Sequence, residues 1–139
     1  MTEQDMSRIL LIGYDPQTED FSDRPPGQTE EKIQAGINSG LEQMRERGWQ
    51  VDVSLIRFQD PPKTVGAELE RQLRTGAYDC VVIGGGVRLP KSYLVFEAII
   101  NAVHRAAPDA AIAFNSGPED SAISAERGLT SRQSHSERS

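Results

Sequence analysis

An apolar run that stops in three glycines, within Tyr78-Asp-Cys-Val-Val-Ile-Gly-Gly-Gly86, constrains the fold more than any other part of the chain. A strand that is apolar at successive positions is buried on both faces, the habit of central strands in parallel sheets. The glycines end it abruptly and leave bare backbone ahead of Arg88 and Pro90. Arg8-Ile-Leu-Leu-Ile-Gly13 repeats the pattern, so two central strands are expected, each closing in glycine.

Helical signals separate the strands. Thr29 followed by Glu30 and Glu31 reads as an N-cap with an acidic first turn. Ile33, Ile37, Leu41 and Met44 then recur at helical spacing as far as Arg47, and Gly48 stops the helix. Over 49–58, Val51, Val53 and Leu55 alternate with Asp52 and Ser54, the pattern of a less buried edge strand. Val65, Leu69 and Leu73 mark a second helix over 64–75. A third, over 91–107, carries Leu94, Val95, Phe96, Ile99, Ile100 and Val103 on a wide apolar face. A fourth strand is expected over 110–114, then a turn and a short helix around 120–127.

This β-α-β-α-β-α-β order predicts a three-layer α/β/α fold around a four-stranded parallel sheet, strand order 2-1-3-4. Residues 1–7 are expected to be a flexible N-terminus, 8–128 a single domain, and 129–139, polar and rich in Ser and Arg, a disordered tail. Right-handed crossovers put the first helix alone on one face. The long first loop, a C-terminal helix or a second subunit must shield that face. Together with the open edge of a short fourth strand and the very apolar third helix, this makes a homodimer the expected assembly.

Bulk properties narrow the function classes. A formal net charge of -6 over 139 residues, with Lys and Arg scattered, argues against a nucleic-acid binder. No apolar stretch reaches membrane-spanning length, and the polar N-terminus is unlike a secretory signal, so a cytoplasmic protein with no membrane partner is expected. Cys80, the single cysteine, reads as a buried small hydrophobe.

In an open parallel sheet, ligands bind outside the carboxyl ends of the strands, where the strand order reverses. Here that point lies between the first and third strands. Gly13, Tyr14 and Asp15 come from one; Gly84, Gly85, Gly86 and Arg88 come from the other; Asn115, Ser116 and Gly117 follow the fourth strand. Glycines permit positive φ and expose backbone amides, which together with Arg88 would hold a carboxylate or phosphate. Gly84, Gly85, Gly86, Arg88, Asn115 and Ser116 are therefore the expected ligand-binding residues. Asp15 and Tyr14 are the expected catalytic ones: Asp15 as general base, or otherwise an Asx-turn ahead of Pro16. Asp20 and Asp23 read as loop acids, Phe21 as a lid over a ligand, and Ser92 as a helix-cap residue. His104 and His135 have no partner at catalytic or metal-binding spacing, and no metal site is expected.

The glycines do not match a nucleotide motif. Leu89 stands where the dinucleotide fingerprint needs its third glycine, and the Gly-Lys-Ser/Thr of a Walker loop is missing. No Gly-x-Ser-x-Gly elbow is present either. From Arg8 to about Glu119 the chain resembles small flavodoxin-like (Rossmann-like) and receiver-like α/β domains of the compact kind found in bacterial genomes. The resemblance is architectural and implies a fold. Receiver domains close the third strand with an aspartate, where this chain has Gly84. Flavodoxins hold the flavin phosphate in a Ser/Thr-rich loop after the first strand, where this chain has the acidic Tyr14-Asp-Pro-Gln-Thr-Glu-Asp-Phe-Ser22. Flavin and dinucleotide signatures are thus absent, and no cofactor is implied. The expected function is an enzyme acting on a small anionic or carbonyl-bearing metabolite at the rim. The alternatives are a non-catalytic ligand-binding or sensory module and a structural homodimer without a small-molecule site.

Overall fold

Alternate residues of the first strand feed two separate cores. In the computed structural model, which describes residues 6–138, β1 (Arg8–Tyr14) lies between β2 (Gln50–Ile56) and β3 (Cys80–Ile83), with β4 (Ala111–Phe114) beyond β3. All three pairings are parallel, giving the order 2-1-3-4 expected from the sequence. Leu10, Ile12 and Tyr14 face one side, with Val65, Leu69 and Leu73 of α2 (Pro62–Thr75) and Val95, Ile99 and Val103 of α3 (Tyr93–Ala106). Ile9 and Leu11 face the other, with Ile33, Ile37 and Met44 of α1 (Glu30–Glu46). Each such aliphatic side chain contributes roughly 1.5–3 kcal/mol by leaving water.

The element boundaries follow local chemistry. The Thr29 hydroxyl accepts the Lys32 amide at 3.2 Å and caps α1, as expected. Gly48, at φ +86°, takes the left-handed turn beyond the helix end. β2 is shorter than the expected 49–58, because a turn closes on the Asp60 amide and Arg57 carbonyl at 3.0 Å. α2 begins at Pro62, whose missing N–H is harmless in a first turn. α3 begins at Tyr93, two residues late, because 3₁₀ turns at Gly86–Arg88 and Pro90–Ser92 come first.

The largest departure is at the C-terminus. α4 (Ser121–Arg138) continues through 129–138, the stretch expected to be a disordered tail. Ala122 and Ala125 are fully buried, and Leu129 packs against the same core as Ile33 and Ile37. Arg132 Nη1 binds the Asp79 carboxylate at 2.8 Å and its Nε binds the Asp109 carbonyl at 2.8 Å, fixing the far turn to the amino end of the sheet. α4 therefore covers the face that α1 leaves open. Its small residues permit the close approach: a Cβ on Gly128 would lie 2.8 Å from Cys80 Sγ. Cys80 is fully buried beneath it, and burial, with the Asp79 charge, pushes its thiol up to about 12, so it is a packing residue without thiolate character. Residues 1–5, most of the expected flexible N-terminus, and residue 139 lie outside the described residues. No helix among the described residues is long and apolar enough to cross a membrane.

Candidate functional site

The sheet's order reversal brings the ends of β1 and β3 together beneath a loop that folds back over them. The Gly84 amide donates to the Ile12 carbonyl at 2.8 Å, and a Cβ on Gly84 would lie 3.2 Å from that oxygen. The glycines serve close approach: none of the three takes a positive φ, contrary to the expected use of their conformational freedom. Among the described residues, no hydrogen bond takes up the amides of Gly85 and Gly86.

Arg24, from the long loop after β1, lies directly over Gly86; a Cβ there would be closer than 3.0 Å to its guanidinium. Glu19 holds Arg24 in a bidentate pair, with Nε at 2.5 Å and Nη2 at 2.9 Å, and the Gln28 side chain accepts from Nη1 at 3.0 Å. The pair is buried, the Glu19 side chain 1% and the Arg24 side chain 11% exposed. Beneath it a cavity of about 40 Å³ runs between Gly13, Gly84–Gly86 and Asn115, with apolar walls from Ile33, Ile37 and Leu55.

Alongside this cavity is an open groove of about 490 Å³, lined by Arg24, Arg88, Arg127, Ser116 and Asp120. Arg24, Gly85 and Asn115 line both spaces, so the two adjoin there. Arg88 stacks on Phe114 at 4.9 Å; its Nε donates to the Gly84 carbonyl at 3.2 Å and its Nη2 to the Asn115 carbonyl. Desolvation lowers the Arg88 pKa from its usual value, partly offset by Asp120. Arg127 Nη2 donates to the Phe114 carbonyl at 2.8 Å. Each guanidinium has five N–H donors, and these contacts occupy only two on Arg88 and one on Arg127.

Among the described residues, Asp120 is the one carboxylate lining the groove. Burial alone would raise its pKa; hydrogen bonds from the Ser116 hydroxyl and the Ser116 and Gly117 amides, with Arg127 nearby, outweigh this and hold it below 3.8. An acid so stabilised in its charged form is a weak base at neutral pH. Ser116 is committed to Asp120 through both its amide and its hydroxyl.

The expected catalytic residues sit elsewhere. Asp15 Oδ1 accepts the Gln17 amide at 3.0 Å, an Asx-turn ahead of Pro16, and Asp15 does not line the cavity or the groove. Tyr14 lines the cavity, but it is 5% exposed, packs on Phe58 and donates its hydroxyl to Ser92 Oγ at 2.8 Å. Asp20 caps a 3₁₀ turn through the Ser22 amide, which lowers its pKa, and Asp23 pairs with Lys91 at 3.2 Å. Phe21 packs against the α1–α4 core with Arg24 over its ring. Sequence reasoning missed Glu19, Arg24 and Arg127. The signal for the first two was a lone arginine five residues beyond a glutamate in an acidic loop; for Arg127 there was none, because α4 was read as ending there.

The fold and the site together define an open parallel α/β sheet with a positively charged groove at its switch point, on a chain that is acidic as a whole. No family model matches the chain, and no curated protein matches it either.

Proposed function

We propose that the chain is a small-molecule binding protein that takes a small organic anion into the groove above Gly84–Gly86, in a flavodoxin-like arrangement. The observation that carries this reading is the excess of charge at the groove: with Arg24 already paired to Glu19, Arg88 and Arg127 stand against Asp120. The unused guanidinium donors of Arg88 and Arg127 suit a carboxylate or phosphate monoester. A groove of this size also falls in the range of small-ligand sites. Binding without chemistry is favoured over the enzyme reading because Asp15 and Tyr14 are engaged in turn and core contacts, while Asp120 is held as a carboxylate.

The test is a thermal-shift screen of small carboxylates and phosphate monoesters on wild type and on Arg127→Gln. A ligand that binds only the folded state at a hundred times its Kd stabilises by about 2.7 kcal/mol. At least one anion is expected to raise wild-type stability in this way, with at least half of the shift lost in Arg127→Gln. Wild type indifferent to every anion contradicts the proposal.

We also propose self-association, on a narrower footing, since α4, one of the three covers expected for the face that α1 leaves open, already shields it. What favours it is the outer edge of β4, where Ile112 and Phe114 are 41% and 43% exposed. Sedimentation at micromolar concentration is expected to give a dimer that Ile112→Lys dissociates; a wild-type monomer would refute it.

A further inference from the structure

Asn115 is 3% exposed, and its Oδ1 has no hydrogen-bond partner. Its orientation is fixed by its neighbours. Ser121 Oγ donates its one proton to the Pro118 carbonyl at 2.7 Å, so it can only accept from Asn115, whose Nδ2 lies 3.1 Å away. Turning the amide over would set one acceptor against another, so the oxygen is the unpaired atom. A buried acceptor left unpaired costs about 1–3 kcal/mol, and native structures leave few such groups unpaired.

Asn115 lines both the small cavity and the wider groove, at the point where they adjoin. The unused amides of Gly85 and Gly86 border the same cavity, whose other walls are largely apolar. We infer that the ligand is a small acid carrying a neutral hydrogen-bond donor, a hydroxyl or an amide N–H, close to its anionic group. The anion lies on Arg88 and Arg127 in the groove, and the donor enters the cavity beside Asn115, whose covered Oδ1 turns into reach as the ligand seats. At about 40 Å³ the cavity admits a hydroxyl or a carboxamide and excludes a ring. Asn115 thereby sets specificity: an acid lacking the donor leaves Oδ1 unpaired, which a site built to hydrogen-bond its ligand penalises. This inference rests on the anion-site reading above.

The experiment compares matched acids on the full chain by calorimetry: propanoate with lactate, succinate with malate, and each hydroxy acid with its O-methyl ether. The hydroxy acids are expected to bind on the order of tenfold more tightly than their deoxy partners. The ethers, which keep the oxygen but lose the proton, are expected to lose that advantage on the wild-type protein. Asn115→Ala is expected to bind both members of each pair alike; if it does not fold, the ether comparison decides alone. Hydroxy and deoxy acids binding equally to wild type would overturn the inference, with a water then serving Asn115, and would leave the anion site standing. Failure of every acid to bind would remove the anion site and this inference with it.

Discussion

Gly40→Ala is expected to lose about 3 kcal/mol of stability in urea unfolding, although alanine is the better helix former by about 1 kcal/mol. The added methyl would lie closer than 3.0 Å to the Pro118 carbonyl oxygen and 3.4 Å from Ser121 Cβ and Oγ. A backbone oxygen cannot rotate aside as a side chain can, so α1 or the 118–121 turn must move as a unit. The same carbonyl accepts the Ser121 hydroxyl that orients Asn115, so the damage reaches the site. Gly66→Ala is the control. Its nearest neighbour, Ala98, lies 3.8 Å away, and the substitution is expected to be neutral or to stabilise by up to about 1 kcal/mol. Equal stability of Gly40→Ala and wild type would refute the tight seat of α1 on this turn.

Glu19→Ala is expected to cost about 3 kcal/mol, because it leaves the Arg24 guanidinium under the loop without its countercharge. The bidentate geometry and the 1% exposure of the Glu19 side chain place this pair among buried ion pairs, for which removal of one partner costs far more than it does at the surface. The double substitution Glu19→Leu with Arg24→Met is expected to recover most of the loss, since an apolar pair needs no desolvation of charge. A double-mutant cycle by chemical denaturation checks both. A single substitution costing under about 0.5 kcal/mol would mean that the pair is effectively solvated.

How much of this was legible beforehand depended on side-chain size and on local order. β1 and β3 could be read because Ile9–Ile12 and Cys80–Ile83 are apolar at every position, and only a doubly covered strand is built that way. From them followed the strand order, the switch point and the place of Gly84–Gly86, Arg88 and Asn115. α4 was legible only in part. It buries Ala122 and Ala125 beside Gly128 and Leu129 in an otherwise polar run, and small residues give little hydropathy contrast. Glu19 and Arg24 were illegible because loop geometry determines their meeting over Gly86. The distinction between Asp15 as a base and Asp15 as a turn former likewise turns on one bond, to the Gln17 amide, that spacing alone leaves open.

The central claim is that the carboxyl rim is a binding site for a small anion. Backbone amide chemical shifts, followed while lactate or malate is titrated into the protein, test it most directly. The account predicts saturable shifts concentrated at Gly85, Gly86, Arg88, Asn115, Ser116 and Arg127, with residues at the opposite, amino end of the sheet, such as Asp79 and Asp109, unmoved. Shifts spread evenly over the surface, or none at the glycine loop at saturating ligand, would contradict it.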